Sequence, residues 1–328
     1  MFICKNQYFL ISVYLKMAGK KIAQVLFILF LGINQSKAND TLRYRDLVFN
    51  NLTVSKNISY NDSADVVDKK SYLMDIYQPT GDSESKRPLI IWMHGGGFKF
   101  GSKEARGIQL WCKTFAERGY VCAAINYRLS KNNPLLHYGD LLKGCYDGVI
   151  DAKKAIRFFR ENALKYGIDT NKIILAGNSA GGMIALQTAF VSDADFAKTA
   201  GLPTINGDDR STSLPKIAAV VNMWGAIFNR DWLKNARVPI VSVLGDQDGI
   251  VAPTHKNTDI YGGEDIHTTA DSLQLANDLK IFKGYSHELQ KHFNPIFPVS
   301  GDTEKRWLEA GQFAADFLYR NVIVIKNH

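Results

Sequence analysis

The chain has 328 residues, 46% of them hydrophobic and 22% charged, with a formal net charge of +8. That length and apolar content can bury a substantial core in one large domain, and they exclude a disordered or collagen-like chain. The basic balance does not point to nucleic acid: Lys5, Lys16, Lys20, Lys21 and Lys37 stand in the first 38 residues, which hold no acid, and without them +8 falls to +3.

Those first residues read as a leader. Met17-Ala18-Gly19-Lys20-Lys21 precedes an apolar run from Ile22 to Ile33, and Ser36-Lys37-Ala38 follows. A basic segment, an apolar segment and a small-x-small site make a secretory signal peptide, with cleavage expected after Ala38. Residues 1–16 fit poorly, because an apolar patch from Tyr8 to Leu15 precedes the lysine pair; a start at Met17 resolves this. The rival is an uncleaved anchor, although the apolar run is shorter than the roughly 20 residues a membrane span needs. The expectation is an exported protein, secreted or periplasmic, with residues 39–328 as one catalytic domain and no membrane span in the mature chain. Cys112, Cys122 and Cys145 would remain after cleavage, an odd number that allows one disulfide at most. If a bridge forms, Cys112 and Cys145, both in predicted helices, are the favoured couple; three buried thiols acting as small apolar residues are at least as good a reading.

In chain order, Leu52 to Tyr60 and Ser71 to Tyr77 read as strands of an antiparallel edge, separated by a polar turn from Asn61 to Lys70. Leu89 to Met93 is a continuous apolar run of the kind buried on both faces of a sheet. His94-Gly95-Gly96-Gly97-Phe98 follows, then a helix from about Ala105 to Glu117 and a buried strand from Tyr120 to Asn126. A long helix spans roughly Leu142 to Tyr166, with Val149, Ala152, Ile156 and Phe159 on one side. Ile173 to Ala176 is a strand, and Met183 to Ala189 a helix. Asp193 to Leu214 reads as a surface excursion, Ala218 to Met223 and Ile240 to Leu244 as strands, Thr269 to Asn277 as a helix, Leu279 to Phe282 as a strand, and Thr303 to Asn321 as a closing amphipathic helix. This alternation predicts an α/β fold with a mostly parallel sheet covered on both faces.

Between the strand at Ile173 and the helix at Met183 lies Gly177-Asn178-Ser179-Ala180-Gly181, the GxSxG nucleophile elbow. The pattern alone arises by chance about once in ten chains of this length; its strand-turn-helix context makes Ser179 a candidate nucleophile. A serine in so sharp a bend is strained, and side chains two residues to either side would collide with the neighbouring strand or helix. A serine hydroxyl needs a general base, and the base an orienting acid. Of His255, His267, His287 and His292, only His287 comes directly off a strand, with Gly284 to turn the loop; His255 and His267 read as exposed. Asp246 and Asp248 both follow the strand ending at Leu244. Asp248, beside Gly249, is favoured, leaving Asp246 as a turn residue. Gly95-Gly96-Gly97 could bring backbone donors to an oxyanion near Ser179; a phosphate loop is the weaker reading, since GxGxxG spacing is missing.

Together, His94-Gly95-Gly96-Gly97-Phe98, Asn126-Tyr127-Arg128-Leu129, Gly177-Asn178-Ser179-Ala180-Gly181, Gly245 with Asp248 and Gly284 with His287 resemble the α/β-hydrolase esterases and lipases with an HGGG oxyanion loop. That branch includes hormone-sensitive-lipase-like enzymes. The resemblance covers nearly the whole mature chain. It implies an eight-stranded sheet, an acyl-serine mechanism through Ser179, His287 and Asp248, and oxyanion bonds from Gly96, Gly97 and Ala180. Asn178 stands where the family often has an acid, and Leu129 is followed by Ser130-Lys131 rather than Ala-Pro-Glu. The short connection from Trp224 to Ile240 leaves no room for a large cap, and the pattern is similar to exported bacterial carbohydrate esterases of feruloyl or acetyl type. Trp224 and Tyr127, at strand ends, and Phe98, beside the glycine loop, are the candidate pocket residues. No metal cluster is apparent and no cofactor is needed; the expected partner is a small or polysaccharide-linked ester. A lipase or short-chain carboxylesterase, a peptidase and a non-catalytic adhesion module are the alternative readings of the same scaffold.

Overall fold

A computed structural model describes residues 42–61, 68–202, 215–255, 259–296 and 298–324. The leader with its cleavage site and the Met17 start fall outside the described residues, as do residues 203–214 of the polar excursion. Among the described residues there are eight strands: β1 (Leu52–Ser59), β2 (Leu73–Pro79), β3 (Arg87–Met93), β4 (Val121–Ile125), β5 (Ile168–Asn178), β6 (Ala219–Met223), β7 (Ile240–Gly245) and β8 (Asn277–Phe282). They form one sheet in the order β1-β2-β4-β3-β5-β6-β7-β8. β2 pairs antiparallel with β1 and β4, and every other neighbouring pair is parallel.

Burial explains why these segments are strands. Every residue of β3, β4, β6 and β7 is buried, so each is largely apolar on both faces, and the buried polar side chains Arg87, Asn222 and Ser242 are hydrogen-bonded. The twofold alternation of side chains then divides the interior in two. Leu89, Ile91, Met93 and Leu175 face one core, while Ile90, Trp92, Ile174 and Ala176 face the other. Onto the second core pack α1 (Arg106–Glu117), through Trp111 and Phe115, and the closing helix Gly301–Leu318, through Trp307 and Phe317. Trp92 and Trp111 stack there with ring centroids 5.1 Å apart. Onto the first core pack α2 (Tyr138–Glu161), the short α3 (Ala163–Tyr166), α4 (Ala180–Phe190), α5 (Asp193–Thr199) and α6 (Gly263–Ser272). The closing helix is thus α7; its N-cap is Ser300, whose side chain accepts from the Thr303 N–H.

Three expectations change. The helix predicted over Thr269–Asn277 is α6, earlier in the chain: Gln274 takes a left-handed φ of 54° and the Leu275 N–H returns to the Ala270 carbonyl, which ends the helix before Asn277 opens β8. The surface excursion after Asp193 begins with α5, which buries Phe196 and Ala197. The favoured disulfide is absent: Cys112, Cys122 and Cys145 are all free and buried. Cys145 lies in one core and Cys112 in the other, so the sheet stands between them. Burial pushes all three thiols up, which keeps them protonated and unreactive.

Candidate active site

β5 ends at Asn178 and α4 begins at Ala180, so Ser179 alone makes the turn, at φ 53° and ψ −120°. The crowding expected of the flanking glycines is present on both sides. A β-carbon on Gly177 would stand 2.3 Å from the Gly181 carbonyl carbon, and one on Gly181 would stand 2.0 Å from the Met93 oxygen at the end of β3. Both distances lie far inside contact, so only glycine lets strand, turn and helix close this tightly. The Ser179 N–H donates to the Met223 carbonyl at 2.8 Å, which fixes the strained residue to β6.

The loop after β8 brings His287 back over this turn, and Ser179 Oγ lies 2.9 Å from His287 Nε2. On the other side of the ring, Nδ1 lies 2.7 Å from Asp248 Oδ2. A carboxylate can only accept, so Nδ1 carries the proton and Nε2 is left to accept from the serine hydroxyl. All three residues are buried. The second oxygen of Asp248, Oδ1, accepts from the Ile250 and Val251 N–H groups at 2.9 Å each. Phe293 meets the His287 ring edge-on, with centroids 5.0 Å apart. Asp246 instead accepts from the Gly284 N–H at 2.6 Å, tying the loop after β7 to the loop after β8. Hence Asp248, not Asp246, reaches the imidazole.

The glycine loop after β3 approaches Ser179 from the other flank. A β-carbon on Gly95 would lie 3.2 Å from the Ser179 β-carbon. Asn178 Oδ1 accepts from the Gly95 N–H at 3.0 Å, so the residue before the serine anchors the loop. Gly96 and Gly97 have φ of 114° and 58°, which aim successive N–H groups in directions other residues rarely allow. Among the described residues, the N–H groups of Gly96, Gly97 and Ala180 donate to no acceptor of the loops and turns, unlike those of Ser179, Lys99 and Phe100. That of Ala180 also lies in the positive field of the α4 N-terminus.

His94, at the head of this loop, is buried and neutral. Its Nδ1 lies 2.7 Å from the Gly95 oxygen, and burial lowers its pKa to about 4. Tyr127 stacks on that imidazole with centroids 4.3 Å apart, and its hydroxyl donates to the His94 carbonyl at 2.8 Å. Behind the loop, the buried Lys103 ammonium holds the buried Asp75 of β2 at 2.8 Å.

The three expected pocket residues are not in a pocket wall. Trp224 takes φ 45°, its N–H donates to the Val243 carbonyl, and its ring packs 5.8 Å from Trp111 in the core beneath the sheet. Phe98, at φ 59°, is wholly buried against α2, where a β-carbon on Gly144 would lie 2.8 Å from its own. Tyr127 supports the glycine loop from below, as described above. A left-handed backbone at two of these residues, Trp224 and Phe98, turns the side chain inward, and nothing in a non-glycine sequence announces it. His267, expected at the surface, is buried in α6 with Nδ1 2.6 Å from Asn277 Oδ1; His255 is exposed. Asn178, Phe293 and the Ile250 and Val251 amides are the site residues that motif reading missed. Only Asn178 carried a signal, its place inside the elbow.

Sheet order, elbow and loop placement define an α/β-hydrolase fold. The BD-FAE family model matches residues 74–258, more than half of the chain, and the chain belongs to that family. Among curated relatives, it is 33% identical over 101 residues to Gut esterase 1 of Caenorhabditis elegans, a match covering 29% of this chain and 17% of that one. It is 28% identical over 165 residues to Esterase LipC of Mycobacterium tuberculosis, covering 50% of this chain and 36% of that one. The chain therefore spans well under half the length of these relatives. Among solved structures, Thermogutta terrifontis esterase 2 phosphorylated by paraoxon superposes with a TM-score of 0.58 at 21% identity, over 83% of this chain and 96% of that one. The butyrate-bound form of the same esterase gives a TM-score of 0.56 at 21% identity, over 88% of this chain and 100% of that one.

Proposed function

We propose that this protein is a serine carboxylic-ester hydrolase in which Ser179, His287 and Asp248 form the catalytic triad. The carrying observation is the continuous hydrogen-bond relay from Ser179 Oγ through both nitrogens of His287 to Asp248. Ser179 Oγ attacks the ester carbonyl while His287 Nε2 takes its proton, and the carbonyl oxygen becomes an oxyanion facing the Gly96, Gly97 and Ala180 N–H groups. Collapse expels the alkoxide, which receives the proton from Nε2 and leaves as the alcohol. Water, activated by the same nitrogen, then releases the acid and restores Ser179. Asp248 holds Nδ1–H and stabilises the imidazolium; its paired amide bonds keep it aimed. The esterase names of the relatives, and the paraoxon-phosphorylated and butyrate-bound states of the Thermogutta enzyme, support this reading.

The finer reading is an exported enzyme that removes acetyl or feruloyl groups from carbohydrate. The leader motif supports export. The described connection from β6 to β7, which holds one short 3-10 turn, Arg230–Asn235, supports room for a bulky alcohol. Among the described residues no helix is long and apolar enough to cross a membrane. Hydrolysis of p-nitrophenyl acetate, acetylated xylan and methyl ferulate by wild type and Ser179→Ala tests the proposal. Equal rates for the two proteins would remove it, and activity on the nitrophenyl ester alone would remove the carbohydrate reading.

A further inference from the structure

The connection from β4 to α2 carries an exposed apolar group directly beside the glycine loop. Leu135 is 57% exposed, yet a β-carbon on Gly97 would stand 2.2 Å from its Cδ2. Its side chain therefore lies against the α-carbon of the glycine whose N–H serves the oxyanion reading. Leu129, Leu136 and Phe100 are exposed on the same two segments, so water meets apolar surface where the loops converge. Single exposed apolar side chains are ordinary, but three leucines and a phenylalanine on two clamped segments beside the glycine loop are not.

The placement of Leu135 is built. The Ser130 N–H donates to the Phe98 carbonyl at 2.7 Å. The Lys99 ammonium donates to the carbonyls of Ser130, Lys131 and Asn132 at 3.2, 3.0 and 2.8 Å. Asp140, in the first turn of α2, accepts from the Asn132 side chain and the Asn133 N–H, folding the segment back, and Pro134 is buried immediately before Leu135. Three carbonyls on one cation and two donors on one carboxylate hold an exposed leucine at a fixed height over Gly97.

Topology says which part of an ester meets it. In the sheet, β4 and β3 lie on one side of β5, and β6, β7 and β8 on the other. The leaving oxygen must face His287, which arrives from the β8 side, to collect its proton. The carbonyl oxygen, on the same reading, faces the Gly96 and Gly97 N–H groups. The acyl chain is then the remaining substituent on a carbon held against the glycine loop, within reach of the side chain that lies on Gly97. Resting on the esterase reading, we propose that Leu135 forms the wall of the acyl subsite and selects apolar acyl groups, with Lys99 as the positioning residue that holds it there.

The test is the ratio of kcat/KM for p-nitrophenyl hexanoate to that for the acetate, measured on the full chain. Each methylene that loses an apolar partner lowers kcat/KM about fourfold. Leu135→Ala and the near-isosteric Leu135→Asn should therefore reduce the ratio about tenfold. Lys99→Met should reduce it through KM for hexanoate, and Lys99→Arg should restore it. Lys131→Met, an exposed neighbour on the same segment, and Leu164→Ala, fully exposed on α3, should leave it unchanged. A ratio within twofold of wild type in both Leu135 variants, or a loss equal for the two esters, would overturn the wall while Ser179-dependent hydrolysis persists. Hydrolysis that survives in Ser179→Ala would instead defeat the esterase reading beneath it.

Discussion

Replacing Asp248 by asparagine changes one atom, and the surrounding bonds dictate which way the new amide points. Oδ1 of Asp248 accepts from two backbone N–H groups, those of Ile250 and Val251. In Asp248→Asn, an NH₂ facing those donors would leave both unsatisfied, at about 1–3 kcal/mol each. The amide oxygen therefore stays with them, and the NH₂ takes the Oδ2 position, 2.7 Å from His287 Nδ1. A donor there makes Nδ1 an acceptor and moves the ring proton to Nε2, where it blocks acceptance of the Ser179 hydroxyl proton. Geometry survives while the tautomer is wrong, a defect that costs about 10⁴ in kcat in the analogous triad. Asp246→Asn keeps the oxygen that accepts from the Gly284 N–H and should cost less than about tenfold. The assay is kcat/KM on p-nitrophenyl acetate, with thermal unfolding to show that both variants fold. Asp248→Asn within tenfold of wild type, or Asp246→Asn falling as far as Asp248→Asn, would refute the assignment of the acid.

Gly181→Ala should cost about 3 kcal/mol or more, or abolish soluble expression, because its β-carbon would press on the Met93 carbonyl. Gly249→Ala, with open space around it, should stay within about 0.5 kcal/mol in the same denaturant titration. Arg128→Met should lower stability by about 3 kcal/mol, since it leaves the Asp151 carboxylate, already raised by burial, without its guanidinium at 2.9 Å; a loss under about 1 kcal/mol would show that water replaces the pair. His94 is depressed from 6.5 to about 4 in the folded state, so the unfolded chain takes the proton first. Its contribution is complete above about pH 6.5 and is lost as pH falls toward about 4, some 3 kcal/mol in all. His94→Gln should flatten the decline of unfolding free energy over that window, and an unchanged slope would remove His94 from the acid sensitivity.

What was legible in the sequence is what local crowding dictates. Gly177 and Gly181 announce the elbow because the collisions they avoid are with backbone a few residues away or at the end of the adjacent strand. The buried strands were legible because a strand covered on both faces reads as a nearly continuous apolar run. Spacing divided Asp246 from Asp248 poorly, since both leave the same strand; only their partners, Gly284 and His287, distinguish them. The aromatic residues at the strand ends were misplaced for a different reason. Whether Trp224 faces solvent or the core depends on a left-handed φ that its residue type neither requires nor favours.

The same distinction separates the groups proposed to react from the surface that would choose their substrate. Ser179, His287 and Asp248 leave the carboxyl ends of three strands whose mutual positions the sheet register sets. Leu135 has no such frame: its height over Gly97 comes from an ammonium thirty-odd positions earlier and a carboxylate on the following helix, neither of which forms a motif. Chemistry on this fold is therefore readable from short patterns. On the proposed reading, specificity rests on loop contacts that appear only once the chain is folded, and a change at Lys99 would alter substrate choice without touching Ser179, His287 or Asp248.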